Sequence, residues 1–300
     1  MASVVSIGVF DGLHLGHRAI LDRALGAARD AGVPCVVVSF DPHPDVVLAK
    51  SGFHVPAPLT PPGEKRRRLL AMGVAEVDVI PFTRELAALS PEEFVAGHLV
   101  ARHHPLRLVV GEGFALGRGR AGNVERLRAI GEGAGFTVEA VPLREQDGAP
   151  VSSTRIRGLL GEGRVAEAAS LLGRPYDLHG RVVTGDGIGR TLGYPTANLR
   201  LLEEKLLPAD GIYAARAAVG EEPVTRPAAL SIGMRPTFDG RARTIEVYLL
   251  DWSGELVGRE LTVELADWLR PEQRFETPES LVRAIDQDVA ETRRRLAAQG

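Results

Sequence analysis

The stretch SIGVFDGLHLGH, Ser6 to His17, joins an apolar run to a glycine turn and then to two histidines three residues apart. Behind it, RAILDRALGAARDAG (Arg18 to Gly32) carries a helical pattern. A strand that ends in glycine and runs straight into an amphipathic helix is the first unit of a parallel α/β sheet, and in open sheets of that kind nucleotides bind at the carboxyl edge of the strands. Gly12 and Gly16 let the backbone approach a ligand. The helix starting near His17 offers unpaired amides and a partial positive charge to phosphate. His14 and His17 then become donors to a triphosphate whose charge shifts as its α–β bond breaks. The spacing alone leaves two other readings open. A metal pair lacks a third histidine or a carboxylate at suitable spacing, and two ordinary polar residues can begin a helix.

Working outward, the chain shows two textures. Up to about Gly173, apolar runs (VVSIGVF, CVVVSF, VAEVDVIPF, LRLVVGEGF, FTVEAVPL) alternate with helical patterns, which predicts βαβ units and a doubly wound parallel sheet. After a small helix, VAEAASLLG, the pattern changes to β-rich segments separated by turn residues: GRVVTGDGIG, GIYAARAAV, RPAALSIG, RTIEVYLLDW and RELTVELADWL. These predict a small antiparallel β-barrel closed by an amphipathic helix over Glu279 to Leu296. The boundary is expected near Arg174, giving domains 1–174 and 175–300.

Bulk properties narrow the function classes. The 300 residues are 44% hydrophobic and 25% charged, enough for full cores, and the formal charge of −3 carries no overall basic footprint for nucleic acid. A single cysteine, Cys35, excludes an internal disulfide framework and a cysteine-rich zinc site. With neither a signal-peptide pattern nor a run of about 20 apolar residues, the expectation is a cytoplasmic protein with no membrane partner. EKRRR (Glu64 to Arg68) and RRR (Arg293 to Arg295) read as solvated helix faces. His103 and His104 read as caps at a helix end.

GVFDGLHLGH resembles the HxGH signature of the nucleotidyltransferase superfamily in the form found in bacterial FAD synthetases. SFDPHP (Ser39 to Pro44), VVGEGFALGRGRAG (Val109 to Gly122) and VSSTRIRGLL (Val151 to Leu160) follow in that family's order. In the second half, GRVVTGDGIGRTLGYPTANL (Gly180 to Leu199), GIYAARA, SIGMRPTF and IEVYLLDWSGELVGREL resemble riboflavin kinase. The resemblance spans nearly the whole chain and implies a bifunctional riboflavin kinase and FMN adenylyltransferase, with riboflavin, FMN and ATP as substrates. It leaves the oligomeric state open.

For the first module, the resemblance implies His14 and His17 on the ATP phosphates, joined by Ser153, Thr154, Arg155 and Arg157. Arginine suits that task because its planar fork holds two phosphate oxygens. Asp11 and the Pro42 turn would line the flavin side. The implied reaction is in-line attack of an FMN phosphate oxygen on the α-phosphorus of ATP, with pyrophosphate leaving and Mg²⁺ neutralising its charge.

The second module cannot be a P-loop kinase. GxxxxGK[ST] is absent, and the three lysines, Lys50, Lys65 and Lys205, lie outside any glycine-rich loop. Gly185, Gly187, Gly189 and Gly193 instead form a pliable loop whose amides can wrap phosphates, and Thr196 and Asn198 bring oxygen ligands suited to Mg²⁺. The family pattern implies Glu246 as the general base for the terminal ribityl hydroxyl. Period-two alternation sets Glu246 and Tyr248 on one face of their strand and Ile245, Val247 and Leu249 on the other. Arg270 is a secondary candidate at the flavin boundary. Two alternatives stay in view: a riboflavin kinase with a weak or inactive adenylyltransferase module, and a non-catalytic flavin-binding regulatory protein. The first gains from a departure, since the family usually has Asp or Asn at Gly113 and an aromatic at Leu116. Intact Thr196, Asn198 and Glu246 argue against the second.

Overall fold

The computed structural model describes residues 1–49, 55–185, 189, 192–237 and 240–298, with the side chains of 235–242 left aside. Gly187 lies outside the described residues. Contacts divide the chain into two units, Met1–Ser153 and Thr154–Gly300.

The first unit is built on β1 (Ser3–Ile7), β2 (Cys35–Asp41), β3 (Glu76–Pro81), β4 (Pro105–Gly111) and, after a two-residue ribbon of β5 (Ala115–Leu116) and β6 (Gly122–Asn123), β7 (Thr137–Val141). All five main strands pair in parallel in the order β3-β2-β1-β4-β7. β2 is buried along six of its seven residues, which is why its sequence is a continuous apolar run rather than an alternation. Cys35 opens that strand, buried, with its thiol pushed up to about 11 by burial. β1 sits in the middle, with its two neighbours reached in opposite directions. Its carboxyl end is therefore the topological switch point where such sheets open a crevice, and the two histidines follow it directly. Helix α1 (Leu15–Ala31) lays Leu21, Ala24, Leu25 and Ala28 on the sheet and stops at Gly32, whose φ of 64° is the left-handed cap that glycine adopts without strain.

The second unit holds a closed antiparallel barrel. Past the short ribbon of β8 (Glu145–Gln146) and β9 (Ala149–Pro150) in the first unit, its staves are β10 (Tyr176–Val183), β11 (Ala197–Leu201), β12 (Gly211–Val219), β13 (Arg226–Thr237), β14 (Gly240–Leu249) and β15 (Glu260–Arg270). They close in the order β10-β11-β14-β13-β12-β15, so no edge is left open. β12 contains four fully buried alanines, Ala214, Ala215, Ala217 and Ala218, because it is covered by the barrel interior on one side and by the helix Pro278–Ala297 on the other. The helices Ser153–Gly161 and Val165–Leu172 precede the barrel, and the latter packs on β10 and β15.

The five expected strands of the first half and the closing helix are all present. The sequence reading missed one stave, β11. Its five residues, ANLRL, continue from a glycine-rich stretch that read as loop as far as Asn198.

Candidate functional sites in the two units

The turn between β1 and α1 is strained. Phe10, Gly12 and Leu13 hold φ values of 51°, 87° and 45°, a region that costs the two non-glycine residues energy and persists only where the surroundings over-determine it. The anchors come from far along the chain. The amides of Leu59 and Thr60 donate to the Asp11 carboxylate at 3.3 and 3.0 Å, and the Ser153 hydroxyl donates to the Asp11 carbonyl at 2.8 Å.

From this turn His14 caps α1, its Nδ1 accepting the His17 amide at 3.3 Å. The two imidazoles stack at 3.6 Å between centroids, and the edge of Phe10 meets His17 at 5.3 Å. Gly16 is what makes the stack possible, because a Cβ there would lie 3.1 Å from the His14 ring. Burial first, then the neighbouring His14 and Lys65, hold His17 well below the usual histidine range, so it stands as a neutral imidazole. Its buried Nδ1 has no hydrogen-bond partner among the described residues. An imidazole nitrogen buried without a partner costs about 1–3 kcal/mol.

The other expected residues of the first module fall into two groups. Ser153 reaches the turn directly, whereas Thr154, Arg155 and Arg157 begin the helix Ser153–Gly161 in the second unit. Asp11 is 3% exposed, and its carboxylate is taken up by the two amides. The Asp41–Pro42 peptide is cis, and it is the next two residues, His43 and Pro44, that line a cavity of about 560 Å³ together with Phe40, Phe82, Phe94 and Leu116. Gly113 also borders this cavity, with nothing within 4 Å of where a Cβ would be.

One expectation is corrected. Glu64 and Lys65 do not lie on a solvated face: they are 7% and 6% exposed, because the helix Pro62–Ala71 turns its first winding inward, where Lys65 reaches the Val9 carbonyl and the Ser39 hydroxyl. His103 also does more than cap a helix, bonding Asp78 on β3 at 2.8 Å.

In the second unit the site is a ring around the barrel. Cross-strand register pairs Asn198 with Glu246, Glu246 with Ser231, Ser231 with Ile212, and Ile212 with Arg270. Five residues from five strands thus form one belt. Two cavities open on it. One of about 320 Å³ is lined by Thr196, Ser231, Glu246, Tyr248, Arg270 and Phe275. The other, about 240 Å³, is lined by Gly185, Thr196, Asn198 and Glu255, so Thr196 borders both. The Thr196 hydroxyl donates to Glu246 Oε2 at 3.2 Å. As the alternation required, Ile245, Val247 and Leu249 are buried while Glu246 and Tyr248 are half-buried and face the cavity.

The glycines of the second module crowd this site. A Cβ on Gly185 would strike the Asn198 amide at 1.9 Å, and one on Gly189 would strike the Tyr194 carbonyl at 2.3 Å. Gly193 takes a φ of 86°. Arg270 is held by a forked pair with Asp288 of the last helix, at 2.8 and 2.7 Å, over the Phe275 ring. Ser231 and Asp288 carry no motif signal of their own, and only the register and the last helix bring them to the cavity. Among the described residues no three His, Cys, Asp or Glu side chains are grouped to hold a metal ion, and no helix is long and apolar enough to cross a membrane.

Residues 1–155 match the FAD synthetase family model and residues 172–296 the riboflavin kinase model. The bifunctional riboflavin kinase/FMN adenylyltransferases of Listeria monocytogenes and Escherichia coli K12 are each 38% identical to this chain, over 97% and 95% of it and 91% and 90% of their own lengths. A Streptococcus pneumoniae crystal structure described as a macrolide-efflux protein superposes with a TM-score of 0.89 at 33% identity, covering 97% of this chain and 94% of that one. Two modules in this order, matched end to end, place the chain in the bifunctional riboflavin kinase/FMN adenylyltransferase family: it is an enzyme that makes FMN from riboflavin and FAD from FMN.

Proposed function

We propose that the two activities are divided between modules 1–174 and 175–300, with Glu246 as the base of the kinase and the His14–His17 pair as the phosphate-facing group of the adenylyltransferase. The observation that carries the kinase assignment is the belt itself. It sets Glu246 in an apolar, aromatic-bordered cavity of about 320 Å³ and bonds it to Thr196, which also borders the neighbouring cavity of about 240 Å³. Riboflavin fits the first and ATP the second. Glu246 takes the proton from the terminal ribityl hydroxyl as that oxygen attacks the γ-phosphorus, and ADP leaves. Thr196, donating to Glu246, orients the carboxylate. Arg270, committed to Asp288, supports the flavin wall.

Thr196 and Asn198 supply only hard oxygen donors, and two protein ligands suit Mg²⁺, which keeps waters and substrate phosphates in its shell. These two residues would hold the ion, which supplies charge neutralisation on the phosphates. Gly185 leaves the space that the Asn198 amide needs, and Gly189 and Gly193 extend the phosphate loop.

In the first module no side chain forms a covalent intermediate. His14 and His17, at the amino end of α1, meet the ATP phosphates together with the amides near Gly12 and Gly16, as His17's open nitrogen supports. Ser153, Thr154, Arg155 and Arg157 complete the phosphate set, as the family resemblance implies. Asp11 acts by bracing the turn, and Pro42 by setting His43 and Pro44 against the flavin cavity. The scheme needs no partner beyond riboflavin, FMN and ATP, and the use of ATP supports a cytoplasmic location. Chromatography of flavins after incubation with riboflavin, ATP and Mg²⁺ tests it: FMN and FAD both form, EDTA stops both, and persistence of FMN formation in Thr196→Val with Asn198→Leu would remove those ligands from the scheme.

A further inference from the structure

The strained turn before α1 rests on a buried cation that the scheme above does not use. The Lys65 ammonium donates to the Val9 carbonyl at 2.9 Å and to the Ser39 hydroxyl at 3.1 Å, and that hydroxyl in turn donates to the same Val9 carbonyl at 3.2 Å. The negative charges of Asp11 and Asp41 favour its charged form. Burying an ammonium is expensive unless it is hydrogen-bonded and paired, and a solubilising lysine would stay outside. Val9 lies two residues past the end of β1 and directly before Phe10, the first of the three residues with positive φ, so the Lys65 bond clamps the chain where it leaves the sheet for the turn.

We propose that Lys65 is a positioning residue for adenylyl transfer, pinning Val9 so that His14 and His17 present fixed rings to the ATP phosphates. The proposal rests on the phosphate-facing reading of those histidines. A second effect follows from charge. The charged or titratable groups that act on His17 are His14 from its own turn and Lys65 from the helix beneath, and both disfavour an imidazolium. Lys65 is itself balanced by Asp11 and Asp41. The lysine therefore keeps His17 neutral as well as in place.

The test uses the full-length chain and follows FAD formation from supplied FMN and ATP as kcat and KM over the range where histidine titrates. Lys65→Met is expected to lower kcat by about 10²-fold, the scale of a small misplacement of reacting groups, with little change in KM for FMN. It should also move the acid limb of the pH profile upward, because His17 then protonates more readily. Lys65→Arg, which keeps the charge, should return the acid limb to its wild-type position. Riboflavin phosphorylation by the same proteins should be unchanged. Wild-type kcat and pH profile in Lys65→Met overturn the proposal, and so does a kcat loss with an unmoved acid limb and no gain in Lys65→Arg. If Lys65→Met fails to fold, Ser39→Ala carries the test: a several-fold loss of kcat supports the clamp, and wild-type kcat overturns it. His17→Ala in parallel separates the two ideas. Full FAD formation there overturns the histidine reading, whereas its loss beside a wild-type Lys65→Met overturns the Lys65 proposal alone.

Discussion

The two sites of this enzyme are held in place by opposite means. In the first unit, the proposed phosphate-facing residues fall within six consecutive positions, Gly12 to His17, and their geometry is forced on a strained turn by Ser39, Leu59, Thr60, Lys65 and Ser153. In the second unit the local backbone is ordinary strand. The site exists because β11, β14, β13, β12 and β15 are registered so that Asn198, Glu246, Ser231, Ile212 and Arg270 fall on one ring. A compact motif stores its information locally but needs distant braces, while a barrel belt stores it in pairing and needs no local strain. The first should therefore be sensitive to its supports, and the second to its individual members.

The sharpest cut is in the belt. Glu246→Gln keeps size and most hydrogen bonding but removes proton affinity, so FMN formation should fall by about 10²- to 10⁴-fold, while FAD formation from supplied FMN continues. Near-wild-type kinase turnover would take Glu246 out of the mechanism.

Next comes the turn. His14→Ala or His17→Ala should lower FAD formation by roughly 10²-fold, as for a lost charge-stabilising donor, with riboflavin phosphorylation intact. The histidines also differ in stability. His14→Ala loses a helix cap, worth about 1 kcal/mol. His17 is buried neutral, so below the unfolded pKa of about 6.5 the unfolded state binds a proton that the native state refuses. Stability of the first unit should consequently fall as pH drops below about 6.5, by up to about 1.4 kcal/mol per pH unit. Thermal melts should show that slope flattened in His17→Ala, and an unflattened slope would assign it to other groups.

A smaller effect probes how tightly the barrel site is packed. Gly185→Ala sets a methyl against the Asn198 amide, which must swing away. Kinase kcat should drop by about tenfold, in line with a lost hydrogen bond of 0.5–1.5 kcal/mol, without loss of FAD formation from FMN. An unchanged kcat would mean that Asn198 does not act from that position.

The smallest effect is a gain. Gly113 borders the flavin-side cavity with open space around it and accepts Arg120 only through its carbonyl. Gly113→Asn should restore one polar contact and raise FAD formation by roughly two- to twelvefold, leaving FMN formation alone. In the unmodified enzyme FMN should accumulate ahead of FAD. If FAD keeps pace with FMN, or the substitution changes nothing, Gly113 is not where the first site is weak.

The legibility of the two sites in the sequence follows the same division. The HxGH turn was readable because strand, glycine turn and helix start are contiguous, and the spacing that stacks His14 on His17 over Gly16 is itself a sequence feature. Its support was not readable. Lys65 lies in EKRRR, where charge density argues for solvent, and only the docking of the helix Pro62–Ala71 turns that one ammonium inward. In the barrel, alternation correctly aimed Glu246 away from the buried face. No local pattern, however, marked Ser231 as its cross-strand neighbour, Asp288 as the partner of Arg270, or ANLRL as a stave.

By itself the sequence determined the two-module order, the parallel sheet, the barrel class, and the residue types available for chemistry, because hydrophobic period and glycine placement act over a few residues at a time. Tertiary structure alone decided which strand faces which, and so which side chains meet: the Glu246 belt, the fork from Asp288 and the Lys65 clamp. Pairing register and helix docking are settled by burying apolar surface across the whole unit. A side chain's partner can lie more than fifty residues away, as the Val9 carbonyl lies 56 residues before the Lys65 ammonium that binds it, and nothing local encodes that distance.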